Sequence, residues 1–127
     1  MQKLILAHHS NILTNDLKEA LQNEWELHIC NDSYPVADML KYLEPDAMII
    51  DLNLRPKNGL TILMENQQRL PPAILATTDF INPYILQAAE ALGIGCILRV
   101  PCSTTYIMKQ LQELVGNAQG GYNGNHI

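Results

Sequence analysis

The chain has 127 residues, 47% of them hydrophobic, and a formal charge of −5 from 13 acidic and 8 basic side chains. That length fits one domain, which buries about two thirds of its unfolded surface and needs no disulfide or metal staple. The acidic balance argues against a non-specific nucleic-acid or anionic-membrane binder, which needs a basic face, and no apolar run approaches a membrane span. Cys30, Cys96 and Cys102 have no paired spacing, so they imply neither a disulfide framework nor a zinc site. Free thiols, with no signal-peptide pattern before His8 and His9, predict a cytoplasmic protein.

Leu4 to Ala7 form a short apolar run that reads as a buried strand. His8-His9-Ser10-Asn11 breaks it, and Ser10 or Asn11 caps a helix with Ile12, Leu13, Leu17, Ala20 and Leu21 on its apolar side. Trp25 to Cys30 alternates with period two, which predicts a strand with one drier face at a sheet edge. Pro35 suits the first turn of a second helix, with Val36, Met39, Leu40 and Leu43 inward. Glu44-Pro45-Asp46 stops that helix. A third strand, Ala47 to Ile50, ends at Asp51, and a turn-rich loop with Asn53, Pro56 and Asn58 follows.

Gly59 to Leu70 is expected as a third helix with Leu60, Leu63, Met64 and Leu70 inward. Pro71-Pro72 ends it, and Ala73 to Ala76 is a fourth strand closing at Thr77-Thr78-Asp79. Asn82-Pro83 opens a fourth helix on Ile85, Ala88, Ala89 and Leu92, and Gly93 is its C-cap. Gly95 to Val100 is a fifth strand, stopped by Pro101. Ser103 or Thr104 caps a last helix on Ile107, Met108, Leu111, Leu114 and Val115. The domain is thus expected over 1–115. The stretch 116–127, rich in glycine and asparagine, reads as a flexible tail or the start of an interdomain linker.

Five strands in strict alternation with five helices predict an α/β fold: a three-layer, doubly wound, five-stranded parallel sheet of flavodoxin-like (βα)5 type. An eight-stranded barrel needs about twice this length. In such a sheet, ligands and chemistry gather at the carboxyl ends of the strands. Those ends carry His8 and His9, then Asp51, then Thr77 and Thr78, then Val100 and Pro101.

Three segments carry a family resemblance: PDAMIIDLNLRPKNG, PPAILATT and LGIGCILRVPCS. In element order and in these segments, residues 1 to about 115 resemble a receiver domain of two-component response regulators. The resemblance implies that Asp51 is the phosphoacceptor for a histidine kinase. It implies that the Asn53 carbonyl helps hold magnesium, that the Thr77 hydroxyl bonds the phosphoryl oxygen, and that Pro101 follows a cis peptide. The departures fall in the same pocket. His8 and His9 stand where the acidic pair that holds magnesium is expected, and Val100 stands where a lysine is expected. Ile97 replaces the aromatic switch residue, and Cys102 replaces the phenylalanine after the proline. Arg99 does not substitute for the lysine, because strand alternation turns it to the other face.

Phosphoryl transfer depends on positioning and charge neutralisation, and magnesium wants oxygen ligands. The expected reading is therefore an atypical receiver with weak or no magnesium-dependent phosphorylation. It is a non-enzymatic module with no cofactor, working through protein contacts. Magnesium is expected only if the pocket retains the ordinary chemistry, which is the first alternative. The second alternative, a small flavodoxin-like enzyme or ligand binder, lacks a glycine-rich loop after the first strand.

The expected partners are a histidine kinase or a fused effector domain. Pairing between copies would use the face of the fourth helix, fifth strand and fifth helix, with Tyr84, Gln87, Glu90, Arg99, Tyr106 and Gln110 exposed. The domain itself is expected to bind neither nucleic acid nor membrane. His8 and His9 invite a metal, but side chains of adjacent residues at a strand end tend to diverge. The expectation is no metal site, with one histidine on Asp51 and the other facing solvent.

Overall fold

A computed structural model describes residues 1–120. Strands β1 (Gln2–Ala7), β2 (Trp25–Cys30), β3 (Ala47–Asp51), β4 (Ala73–Thr78) and β5 (Cys96–Arg99) alternate with helices α1 (Asn11–Leu21), α2 (Val36–Leu43), α3 (Gly59–Glu65), α4 (Pro83–Leu92) and α5 (Thr104–Gly120). The strands form one parallel sheet in the order β2-β1-β3-β4-β5. The expected doubly wound architecture is the one found.

Strand alternation builds both cores. Leu4 and Leu6 of β1, Ala47 and Ile49 of β3, and Ala73 and Leu75 of β4 pack with Leu17 and Leu21 of α1 and Ile107 and Leu111 of α5. The intervening residues Ile5, Met48, Ile50, Ile74 and Ala76 pack on the other face against Val36 and Leu40 of α2, Leu63 of α3 and Leu92 of α4. The central strands are thus dry on both sides, which is why they read as unbroken apolar runs. Each fully buried Leu or Ile contributes about 1.5–3 kcal/mol.

Helix starts follow the cap residues. Ser10 Oγ accepts from Leu13 N–H at 3.2 Å, Asn58 Oδ1 from Thr61 N–H at 2.9 Å, and Asn82 Oδ1 from Ile85 N–H at 2.8 Å. Such caps are worth about 1 kcal/mol each. Gly93 ends α4 in the left-handed region at φ 75°, where a Cβ would be strained.

Several local expectations differ from the structure. β2 is an edge strand, but residues 27–30 are all half-buried, with no single dry face. Ile12 is 77% exposed, because the buried line of α1 runs through Thr14, Leu17 and Leu21 and position 12 lies about 200° from position 14 at 3.6 residues per turn. α3 stops at Glu65, where Asn66 turns back on it: Nδ2 donates to the Ile62 carbonyl at 2.7 Å, and the backbone N–H donates to the Leu63 carbonyl at 3.2 Å. A short 3-10 turn, Gln67–Arg69, follows. Met64 is exposed and Ile62 takes the inward place. α5 runs to Gly120, past the boundary expected at Val115; a glycine such as Gly116 weakens a helix by about 1 kcal/mol without breaking it. The rest of the expected tail, 121–127, lies outside the described residues. No helix among the described residues is long and apolar enough to cross a membrane.

Candidate functional site

The strand order reverses at β1. The chain leaves β1 for β2 on one side, while β3 and β4 lie on the other, and this opens a crevice at the carboxyl ends of β1 and β3. Asp51 ends β3 beside Thr77 of β4, its register partner. Alternation turns both toward the α1 and α5 layer, with Ile49 and Leu75.

Asp51 is fully buried. Its Oδ1 accepts from the Asn53 backbone N–H at 2.8 Å. Its Oδ2 accepts from the His9 backbone N–H at 3.1 Å and from His9 Nδ1. A buried carboxylate is tolerated only with such donors. The loop is tied beneath it: Leu52 N–H donates to the Thr77 carbonyl at 2.8 Å, Leu54 N–H to the Asp51 carbonyl at 3.2 Å, and Gly59 N–H to the Leu52 carbonyl at 3.3 Å. A Cβ on Gly59 would stand 2.6 Å from the Asp51 carbonyl oxygen, so only glycine fits this approach.

The histidines do not diverge. β1 ends at Ala7, so strand alternation no longer governs residues 8 and 9. Their rings stack with centroids 5.0 Å apart and planes 18° from parallel. One histidine bonds Asp51, as expected, and it is His9, whose ring stays 56% exposed; the other, His8, does not face solvent but is buried. The His8 backbone explains its burial, because its N–H donates to the Cys30 carbonyl at 3.1 Å and its carbonyl accepts from Asn31 Nδ2 at 2.9 Å. His8 Nδ1 accepts from the Ser10 N–H at 3.1 Å, which assigns the proton of the neutral ring to Nε2. That Nε2 is buried without a partner. Nδ1 lies 3.8 Å from Asp51 Oδ2, an acceptor facing an acceptor. Burial pushes the His8 pKa down, against the opposing pull of the Asp51 charge, and nearby His9 lowers it further. His8 is neutral here.

Thr77 Oγ1 is buried with no partner. Its neighbour ties the following loop instead: Thr78 Oγ1 donates to the Phe80 carbonyl at 3.1 Å and accepts from the Phe80 N–H at 3.3 Å. The Val100–Pro101 peptide is cis, as is Arg55–Pro56. Leu98 packs in the α1 and α5 layer and Ile97 in the opposite one. The same alternation brings Val100 to the crevice and leaves Arg99 exposed outside it. Among the described residues, Asp51 has only histidines within salt-bridge distance.

A cavity of about 600 Å³ opens outside this cluster, walled by His8, His9, Asn53, Val100, Pro101 and Cys102. Asp51 does not line it and lies beneath the histidine pair. Magnesium does not fit this donor set. Imidazoles stand where oxygen ligands are needed, and Asp51 is the one carboxylate of the cluster among the described residues; the Asn53 side-chain oxygen accepts from the Asp79 N–H at 3.1 Å. Asn31 and Asp79, which support the site, carry no sequence signal beyond membership of turn clusters.

On the face of α4, β5 and α5, Tyr84, Gln87, Glu90, Arg99 and Tyr106 are exposed. Gln110 is not: it is half-buried, with Cys96 Sγ 3.8 Å from its Oε1.

A parallel sheet in this order, with a carboxylate closing its central strand, defines the class: the chain has the receiver fold of response regulators. The structure is similar to that of a CheY-like response regulator receiver domain from Methanospirillum hungatei JF-1, with a TM-score of 0.86, 10% identity and coverage of 96% of this chain and 99% of that one. In sequence, the chain is 27% identical over 130 residues to the sensory transduction protein LytT of Bacillus cereus, covering 99% of this chain and 52% of the relative. It is 25% identical over 114 residues to a protein-glutamate methylesterase/protein-glutamine glutaminase of Vibrio cholerae, covering 88% of this chain and 32% of the relative. It therefore spans about half or less of the curated relatives it matches. No family model matches the chain.

Proposed function

We propose that this domain is an atypical receiver that signals through protein contacts and is not switched by magnesium-dependent phosphorylation of Asp51. One observation carries the reading: Asp51 is fully buried, with both carboxylate oxygens accepting hydrogen bonds from His9 and Asn53. Asp51 does not line the adjoining cavity and lies beneath the histidine pair, and no lysine stands by to neutralise the charge of an incoming phosphoryl group. The exposed side chains of Tyr84, Gln87, Glu90, Arg99 and Tyr106 form the recognition face for a kinase, an effector domain or a second copy of this chain. Its partners are proteins and not nucleic acid or membrane, its setting is the cytoplasm, and the domain turns over no substrate of its own.

The test is incubation with magnesium and a small acyl phosphate, followed by intact mass measurement. The expected result is no phosphoryl adduct. A stoichiometric adduct that disappears in Asp51→Asn would support the ordinary phosphoacceptor instead, with the unpartnered Thr77 hydroxyl free to meet the phosphoryl oxygen.

A further inference from the structure

We propose that His8, His9 and Asp51 bind a borderline transition-metal dication of the zinc, nickel or cobalt(II) class at the place where magnesium does not fit. One ring nitrogen from each histidine and one Asp51 oxygen all lie within 4.8 Å of one another. Two imidazoles and one carboxylate suit these ions and not the hard, oxygen-seeking ones.

The geometry needs little change. Zinc holds nitrogen and oxygen ligands at about 2.0–2.2 Å, which spaces tetrahedral ligand atoms by about 3.3–3.5 Å. His8 Nδ1 and Asp51 Oδ2 are 3.8 Å apart. The His9 ring now closes on Oδ2 and must swing outward, and its exposed side chain faces open space for that movement. Asn53 N–H holds Oδ1, which leaves Oδ2 directed at the histidines, the orienting role that partners of metal ligands commonly play. The adjoining cavity supplies an entry path and room for solvent ligands.

The protons balance. His8 Nδ1 carries none, and exchanges the Ser10 N–H for the ion. His9 gives up its Nδ1 proton, and its Nε2 takes one from solvent if the ring was neutral.

His8 supplies the independent observation. A lid on Asp51 would need only His9. The bonds to Cys30 and Asn31 account for the burial of His8, but they do not require its ring to face the carboxylate: the Ser10 N–H leaves Nδ1 without a proton, and this nitrogen lies 3.8 Å from Asp51 Oδ2, two electron-pair donors converging where a cation would sit.

The site stands on three side chains and does not depend on the receiver reading, since its test uses neither phosphodonor nor partner. The full chain is titrated with cobalt(II) chloride alone, followed by visible absorption, and with zinc chloride alone, followed by calorimetry. The expected result is one ion per chain, cobalt ligand-field bands without a thiolate charge-transfer band, and no heat with magnesium. Affinity should fall by at least about tenfold in His9→Ala and in Asp51→Asn, and stay unchanged in His28→Ala. His9 is exposed and Asp51→Asn nearly isosteric, so both variants should fold, which far-UV circular dichroism checks. Absence of binding, binding indifferent to His9→Ala, a thiolate band, or equal binding of magnesium would each overturn the proposal.

Discussion

His9 addresses Asp51 twice, through its backbone N–H at 3.1 Å and through Nδ1 of its ring, and both bonds end on the same oxygen, Oδ2. The other oxygen is held by Asn53. A charge that should be costly to bury is therefore matched by three donors from two loops that follow β1 and β3.

Removing the acceptor should strand those donors. Asp51→Ala leaves the His9 and Asn53 N–H groups facing a small cavity, and unsatisfied buried donors cost about 1–3 kcal/mol each. Asp51→Asn keeps an acceptor for Asn53 and should cost about 1 kcal/mol. Urea unfolding of the two variants measures the difference. Equal stabilities would mean that the carboxylate contributes nothing to the loops.

Thr77 and Thr78 should respond in opposite directions to the same change. Thr77 Oγ1 is buried and unpartnered, so Thr77→Val removes an unsatisfied hydroxyl and should be neutral or stabilising by about 1 kcal/mol. Thr78 Oγ1 donates to and accepts from Phe80, so Thr78→Val should destabilise by about 1–3 kcal/mol. Chemical denaturation of the pair checks the sign of each.

Gly59→Ala should be costly although it adds one methyl group. The new Cβ would meet the Asp51 carbonyl oxygen at 2.6 Å and Leu52 Cα at 2.9 Å, and backbone does not yield as a flexible side chain does. Overpacking of this kind costs about 1–3 kcal/mol. The same variant should loosen the Gly59 N–H bond to the Leu52 carbonyl, which faster amide exchange at Gly59 and Leu54 would report.

Burial, with a smaller contribution from the Asp32 charge, pushes the Cys30 thiol from 9.0 up to about 11. The folded chain keeps that proton between these values while the unfolded chain loses it, so stability falls as pH rises from about 9 to about 11. Allowing for partial exposure, the loss is about 1–2 kcal/mol. Unfolding of the native chain and of Cys30→Ala at pH values across that window should show the extra slope only in the native chain. The same raised pKa predicts slow alkylation of Cys30 at neutral pH, because the thiolate is the nucleophile.

Much of this molecule is legible in its order of residues. Apolar runs with period two and stripes with period 3.6 are local properties, and they place the five strands and the five helices, with the first helix opening at Ser10 or Asn11 and the fourth at Asn82; the cap at Asn58 came from the structure. They also place Asp51 at the end of β3 and separate Val100 from Arg99, since alternation holds to the end of β5. Local pattern fails where a second surface decides the outcome. Ile12 and Met64 are apolar at helical spacing, yet each lies beside the buried stripe and not on it.

The state of Asp51 was decided by tertiary structure alone. No periodicity governs residues 8 and 9, because β1 has already ended. Whether two adjacent imidazoles diverge or stack depends on Cys30, Asn31 and Ser10 gripping the backbone and ring of His8. Ser10 is local, but Cys30 and Asn31 lie at and just past the end of β2, up to 23 residues away. The sequence by itself determined that a carboxylate and two histidines reach one end of the sheet. Only the packed structure determined that the two histidines stack over the carboxylate and that both of its oxygens accept hydrogen bonds.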